Sequence, residues 1–287
     1  MPKEHATRLI DQSLTPPSAD PSARQHSSAL YNHFMQAPQA ISPTHGFWNL
    51  PVDAAAHGHA LDTHLLLNLW IALALLALAH LILLIGIAIR KRTPRPTHQL
   101  LIEYLPLAAL TLLFAFLALR AQQLWAAQRY TGADLSAMQV EVTGQQFVWY
   151  FRYPGPDAAF GRTRLSLVDP SDANPLGIDP TDTYGRDDIV TSQLVLPANR
   201  EVDLTLRAQD VIHGFAIPQM RIKQNAIPGQ TTHIHFTPET PGDYAILCTQ
   251  VCGLGHYRML ATLRVLPPAD FAAWLRTQEA TDPEARP

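Results

Sequence analysis

Four side chains that can bind a soft metal lie within twelve residues near the C-terminal end of the chain. They are Cys248, Cys252, His256 and Met259, and the two cysteines are the only ones among 287 residues. Thiolate, imidazole and thioether donors together favour copper over magnesium or calcium, which prefer oxygen ligands, and methionine is an unusual zinc ligand. A mononuclear blue-copper site uses one cysteine. Because this stretch contains two, it has enough thiolates to bridge two copper ions.

A bridged pair of copper ions needs a second imidazole, so that each ion has one. The best candidate is His213, which lies in the apolar, strand-like segment 210–215. His233 and His235 alternate with apolar residues, and this period of two predicts the solvent-facing side of a β-strand rather than a ligand position.

Two other interpretations of the cysteines stay open at this point. Cys248 and Cys252 could form a disulfide in an oxidising compartment. They could also join His213 and His256 in a structural zinc site, with Met259 a core residue. An iron–sulfur cluster would require four cysteines and is disfavoured.

The metal-binding stretch and three further segments resemble subunit II of the haem-copper cytochrome c oxidases. The three segments are Asp-Val-Ile-His at 210–213, Lys-Gln-Asn-Ala-Ile-Pro-Gly at 223–229 and Gly-Gln-Gln-Phe-Val-Trp-Tyr-Phe at 144–151. The resemblance extends from about residue 61 to residue 267. It implies a cupredoxin-type Greek-key barrel with a dinuclear copper centre, called CuA. The implied ligands are His213, Cys248, Cys252, His256, Met259 and the main-chain carbonyl of Gln250.

The resemblance also implies a function. The chain would accept electrons from a c-type cytochrome and pass them to haem in subunit I, where oxygen is reduced to water and protons are pumped. No catalytic residue is expected in this chain, because it contains no haem ligand set. A membrane-anchored copper-binding or copper-delivery protein is the alternative, since it would use the same soft ligands.

Several family positions differ in this sequence. Phe147 stands where the family commonly has the tryptophan that receives electrons, and Trp149 matches the next tryptophan of that motif. Gln99 or Glu103 corresponds to the family's proton-pathway glutamate, depending on the alignment. Gln250 replaces the glutamate whose carboxylate holds magnesium, and this replacement argues against a magnesium site.

Two long apolar runs predict the anchor that positions this centre. Residues 65–89 and 100–119 are each long enough to cross a hydrocarbon core of about 30 Å. The intervening loop 90–98 carries four Lys or Arg, whereas residues 45–64 carry none, so the loop is predicted inside and both termini outside. We therefore expect a two-span protein in the inner membrane of a respiring bacterium, with its copper domain in the periplasm and without a removable signal peptide.

Composition agrees with a membrane protein, since 47% of the residues are hydrophobic and 16% are charged. The formal net charge of −3 gives no reason to expect nucleic acid as a partner. The predicted fold is a two-helix transmembrane hairpin plus an all-β, cupredoxin-like Greek-key barrel. Its predicted divisions are a polar Pro/Ser/His-rich tail (1–60), the hairpin (61–125), the copper domain (136–267) with a long insertion (154–188), and a short helix with a tail (268–287).

Overall fold

A computed structural model describes residues 50–89, 99–169 and 174–281. Most of the predicted N-terminal tail and the positively charged loop 90–98 lie outside the described residues. The domain divisions given above stay predictions.

Two long helices precede the β domain. Helix α1 is Gly58–Ile89 and helix α2 is Gln99–Arg129. Both are longer than the apolar runs, because polar residues at the outer ends continue the helical hydrogen bonding. Their leucine, isoleucine and phenylalanine side chains are largely exposed. Such helices are long and apolar enough to cross a membrane, so they give the chain a membrane anchor.

Ten strands follow among the described residues. The sequence itself indicates seven strand candidates, at 146–153, 189–196, 201–207, 211–217, 231–236, 243–247 and 260–266. The strands are β1 Met138–Gln145, β2 Val148–Tyr153, β3 Ile189–Thr191, β4 Leu194–Pro197, β5 Val202–Ala208, β6 His213–Ile217, β7 Ile222–Ala226, β8 Thr232–Phe236, β9 Gly242–Cys248 and β10 Leu260–Leu266. They form two five-stranded sheets, with orders β3-β2-β1-β5-β8 and β4-β10-β9-β6-β7. The β1–β5 and β4–β10 pairs are parallel and the other pairs are antiparallel.

The two sheets enclose a single apolar core. Trp149, Phe151 and Phe215 are fully buried and stack edge-to-face at its centre, with ring centroids 5.3 Å and 6.5 Å apart. Edge-to-face aromatic pairs add stability beyond their buried area, by roughly 0.5–1.5 kcal/mol each. The arrangement confirms the predicted fold class, a pair of apolar helices followed by a cupredoxin-like β-barrel.

Some strand predictions were wrong. The run 189–196 was predicted as one strand, but a bend at residues 192–193 divides it between β3 in one sheet and β4 in the other. The alternation in β2 places Arg152 on the face opposite Trp149 and Phe151, and His235 was predicted on the solvent-facing side of β8. Arg152 is only 1% exposed because the insertion 154–188 covers that face. His235 is half-buried because residues 54–57 run alongside β8.

A last helix, α3, covers Pro268–Thr281 and agrees with the helix predicted there. Trp274 stacks edge-on against buried Tyr153 at 5.4 Å, and Phe271 is also buried. This helix therefore closes one end of the barrel.

Candidate metal centre

The centre is built from the ends of two neighbouring strands. His213 is the first residue of β6 and Cys248 is the last residue of β9, and these strands pair so that Phe215 lies opposite Cys248. Gly214 permits the close approach of the loop that follows Cys248, since a Cβ there would lie 2.8 Å from the main-chain nitrogen of Gln250. Loop 249–259 then returns the remaining predicted ligands to the same place.

The sulfur atoms lie within reach of a shared ion. Cys248 Sγ and Cys252 Sγ are 3.8 Å apart, and both cysteines are free. Metal–thiolate bonds are about 2.3 Å long, so sulfurs at this separation can bind the same ion. Cys252 Sγ is also 3.7 Å from His256 Nδ1 and 3.8 Å from Met259 Sδ.

The second imidazole lies beside the sulfurs. Ligand atoms of His213, Cys248 and Cys252 are all within 4.8 Å of one another. The Gln250 carbonyl accepts a hydrogen bond from the Cys248 thiol at 3.3 Å and so faces the same cluster. The structure thus brings together all six predicted ligand residues in one place.

His213 is held in one orientation by Asp210. Its ring is fully buried, and Nε2 lies 2.8 Å from Asp210 Oδ1, which can only accept, so Nε2 carries the proton. Nδ1 then has a bare lone pair, and it is buried without a hydrogen-bond partner in the part of the chain that the structure describes. A buried, unpaired nitrogen of this kind is costly unless an ion binds it. The atom left free is therefore suited to a metal.

Asp210 is the functional residue that sequence reasoning did not assign. Burial raises the pKa of its carboxyl, but hydrogen bonds from His213 and from the main-chain N–H groups of Gln146 and Val211 outweigh this effect and lower it. Asp210 therefore stays ionised. The one sequence feature that could have indicated this role is the position of Asp210 three residues before His213.

The pKa of one of the thiols is shifted in the opposite direction, upward. Burial first, and then the neighbouring Cys248, raise the pKa of Cys252 to about 11. The thiol of the metal-free protein is therefore protonated at neutral pH. A cation placed between the sulfurs would reverse this preference, because bound thiols are deprotonated.

Phe147 and Trp149 lie on two sides of the centre. Trp149 is completely buried, and its ring makes an edge contact with His213 at 5.7 Å. Phe147 is half-buried and packs on the loop, where a Cβ added to Gly255 would lie 2.4 Å from its ring. Gly255 therefore provides space for Phe147.

The other predicted sites lie elsewhere. Glu103 is exposed on the first turns of α2, and the main chain of Gln99 begins that helix. Gln250, which replaces the family's magnesium-binding glutamate, has an exposed side chain. The proton path stays a prediction, and so does the loss of the magnesium site.

Comparison with known proteins agrees with this geometry. Residues 138–265 match the family described as cytochrome C oxidase subunit II, periplasmic domain. The alternative cytochrome c oxidase subunit 2 of Bradyrhizobium diazoefficiens is 35% identical over 153 residues, which are 53% of this chain and 54% of that protein. Cytochrome c oxidase subunit 2 of Cereibacter sphaeroides is 28% identical over 196 residues, 65% of this chain and 64% of that protein.

The chain thus spans between about half and two thirds of the length of these two curated relatives. Among solved structures, the periplasmic domain of cytochrome oxidase subunit II (CoxB) of Bradyrhizobium japonicum is similar, with 24% identity and a TM-score of 0.39. The similarity covers 53% of this chain and 99% of that one.

Proposed function

Because residues 138–265 match the family described as cytochrome C oxidase subunit II, periplasmic domain, we propose that the chain is the electron-accepting subunit of a haem-copper oxidase. In this proposal it receives single electrons from a c-type cytochrome and passes them to haem in subunit I. Oxygen is reduced to water there, with proton pumping. The chain itself supplies no catalytic residue.

One observation carries the proposal: two free cysteine sulfurs lie 3.8 Å apart, beside a buried imidazole nitrogen that has no hydrogen-bond partner among the described residues. This donor set fits a dinuclear copper centre. Cys248 and Cys252 would bridge the two ions, His213 and His256 would each bind one, and Met259 and the Gln250 carbonyl would be weak ligands. When bound, the copper pair supplies one-electron redox chemistry.

The protein contributes rigidity and exclusion of water. Asp210 fixes the His213 ring, and main-chain hydrogen bonds from Cys248 to Met259 and from Thr249 to Gly214 fix the loop. Met259 is completely buried, and Cys252 is 5% exposed. A cage that does not rearrange keeps the reorganisation energy of electron transfer low, since ligand positions change little between oxidation states.

Electrons would reach the centre through the aromatic pair. Phe147 covers the loop from outside, and Trp149 contacts His213 from inside the barrel. Three exposed apolar side chains on the loop support its contact with partner proteins, namely Val251, Leu254 and Tyr257. In the membrane, Glu103 or Gln99 is proposed to lie near the mouth of a proton path in subunit I.

The location follows from the anchor. We place α1 and α2 in the inner membrane of a respiring bacterium, with the β domain on the periplasmic side. The four positive charges of loop 90–98 support this orientation, because such loops stay inside.

Electron paramagnetic resonance (EPR) of the copper-loaded full chain in detergent tests the proposal. An electron shared by two equivalent copper nuclei gives seven hyperfine lines, whereas a single copper gives four. Cys248→Ser and Cys252→Ser should each abolish the shared signal. Gln250→Ala is the matched control in the same loop and should retain the signal, because only its main chain binds.

A four-line spectrum from the wild-type protein would contradict the dinuclear centre. Loss of copper from Gln250→Ala would overturn the carbonyl assignment alone. The rival function, copper delivery, predicts instead that bound copper exchanges rapidly with an added chelator. Slow exchange favours an electron-transfer centre.

A further inference from the structure

The end of the barrel that carries the proposed copper ligands is almost free of charge. Four loops meet there, and the structure describes all of their residues: 146–147, 209–212, 227–231 and 249–259. Only two of these residues carry a formal charge, Asp210 and Arg258. Asp210 is already bound to His213 and to the main-chain N–H of Gln146. Arg258 is therefore the one charged side chain of the four loops that makes no ion pair with a described residue.

The same loops expose apolar side chains around Phe147. We call these side chains the apolar end face, and they are Val211, Ile212, Val251, Leu254 and Tyr257. Leu254 is 99% exposed and lies between two glycines that pack closely on the Phe147 ring. Val211 follows the aspartate that accepts a hydrogen bond of 2.7 Å from the turn containing Phe147. The face is thus continuous around Phe147, and an exposed apolar surface of this kind indicates a contact site.

The helices of this chain leave the apolar end face uncovered. Strand β6 begins at this end with His213, and α1 is attached beyond the other end of the strand, where Arg221 pairs with Asp62 at 2.7 Å. A strand of five residues spans about 13 Å. The face is therefore open to a partner that approaches the β domain from water.

A partner that docks by charge would find no complement on this face. Lysine side chains would lose water without gaining a carboxylate, because Asp210 is committed to His213, and Arg258 would repel them. An acidic patch would find a single guanidinium. A partner with an apolar surface instead gains free energy from each side chain that it covers.

We propose that the apolar end face is the docking surface for the electron donor, and that this donor is a c-type cytochrome whose haem edge is framed by apolar side chains rather than by lysines. The inference rests on the proposed function, in which electrons enter beside Phe147, and it adds the chemistry by which the donor is recognised. Burial of apolar surface supplies the affinity, so ionic strength should have little effect on it.

Reduction of the copper-loaded full chain in lipid nanodiscs tests the proposal, because no free detergent competes for the face there. The haem iron of a reduced cytochrome loses one electron and the copper centre gains it, so stopped-flow absorbance gives the apparent Kd of the donor complex. Two donors are compared, a lysine-rich c-type cytochrome and one with an uncharged, apolar haem edge. We expect the apolar donor to bind more tightly, with a Kd that changes by less than about threefold between about 10 and 500 mM salt.

Leu254→Gln should raise the Kd of the apolar donor by about 10–100-fold, which is the effect of withdrawing one leucine side chain from an apolar contact. Leu135→Gln is the matched control, because Leu135 is as exposed as Leu254 but lies in the loop after α2, outside the face. The copper EPR spectrum should be the same in both variants. A weaker donor complex would then not reflect a damaged centre.

A Kd of the apolar donor that rises more than tenfold with salt would overturn the proposal. Tighter binding of the lysine-rich donor would also overturn it, and so would equal Kd values in Leu254→Gln and Leu135→Gln. These results would leave the proposed function intact, because electrons still reach the copper. Failure of both donors to reduce a centre with an intact EPR spectrum would instead contradict the proposed function, and this inference with it.

Discussion

Arg152→Met tests whether a buried ion network holds the insertion 154–188 on the barrel. The Arg152 guanidinium donates to Glu141 at 2.9 Å, to Asp188 at 3.0 Å through Nε, and to the Gly161 carbonyl at 2.5 Å. Methionine preserves much of the stem but leaves the buried Asp188 carboxylate without its cation. Removing one partner of a buried ion pair costs about 3–5 kcal/mol. At about 2–4 °C per kcal/mol for a domain of this size, the melting temperature should fall by roughly 6–20 °C.

The loss of stability caused by Arg152→Met should depend on pH. Burial raises the pKa of Asp188, and hydrogen bonds from Arg152 and the Gly161 N–H oppose that rise. Without Arg152 the pKa of Asp188 rises further. At pH values above 3.8, the ordinary pKa of an aspartate, the folded variant therefore binds more protons than the unfolded chain. The variant therefore gains stability relative to wild type as the pH falls through this window. The difference in melting temperature should be smaller near pH 5 than near pH 8.

Tryptophan fluorescence of the full chain in detergent follows the unfolding, because Trp149 is completely buried. Arg264→Met is the matched control: Arg264 also pairs with a carboxylate, Asp243 at 2.8 Å, but its side chain is 46% exposed. An exposed pair contributes about 0–1 kcal/mol. Equal losses in the two variants would refute the argument from burial, and a pH-independent difference would refute the electrostatic origin.

Three further predictions concern the metal centre. Asp210→Asn removes the charge that orients His213, so copper affinity should fall by about 10–100-fold in a chelator competition, and unchanged affinity would dismiss this role. Gly255→Ala places a methyl group against the Phe147 ring and should alter the copper EPR spectrum. The Phe147→Ala/Gly255→Ala double variant should restore the wild-type spectrum. If it does not, the methyl group disturbs the loop directly. Because the metal-free Cys252 thiol has a pKa raised to about 11, copper uptake should release its proton and tighten as pH rises, as measured by titration in weakly buffered solution.

Four of the proposed ligands could be predicted from the sequence, because they lie in one short loop whose spacing is fixed by the chain. His213 was predicted from its apolar context, and the structure places it beside the sulfurs. Its partner Asp210 was not assigned, because the sequence cannot show which nitrogen of a histidine is already occupied. That information comes only from the contact between the two side chains.

Alternation predicted the buried and exposed faces of a strand correctly where one face meets the core and the other meets water. The prediction was wrong where a distant segment of the chain covers the second face. Arg152 alternates with aromatic residues, a pattern that does not show that the insertion folds over it and supplies Asp188. His235 was predicted to be solvent-facing from its alternation with apolar residues, yet residues 54–57 lie alongside it. Strands β1 and β7 contain polar residues at buried or half-buried positions, such as Glu141 and Asn225, and gave no clear alternation.

The hairpin of β6 and β7 is attached to both long helices. Arg221, between the two strands, forms two hydrogen bonds of 2.7 Å with Asp62 of α1. Arg129, at the end of α2, donates to the Lys223 carbonyl and the Gln224 side chain of β7. The same hairpin begins with His213, so the proposed copper ligand and the membrane anchor are joined through a few residues. Electron tunnelling rates fall exponentially with separation, and this bracing would hold constant the gap between the centre and any acceptor seated beside the helices.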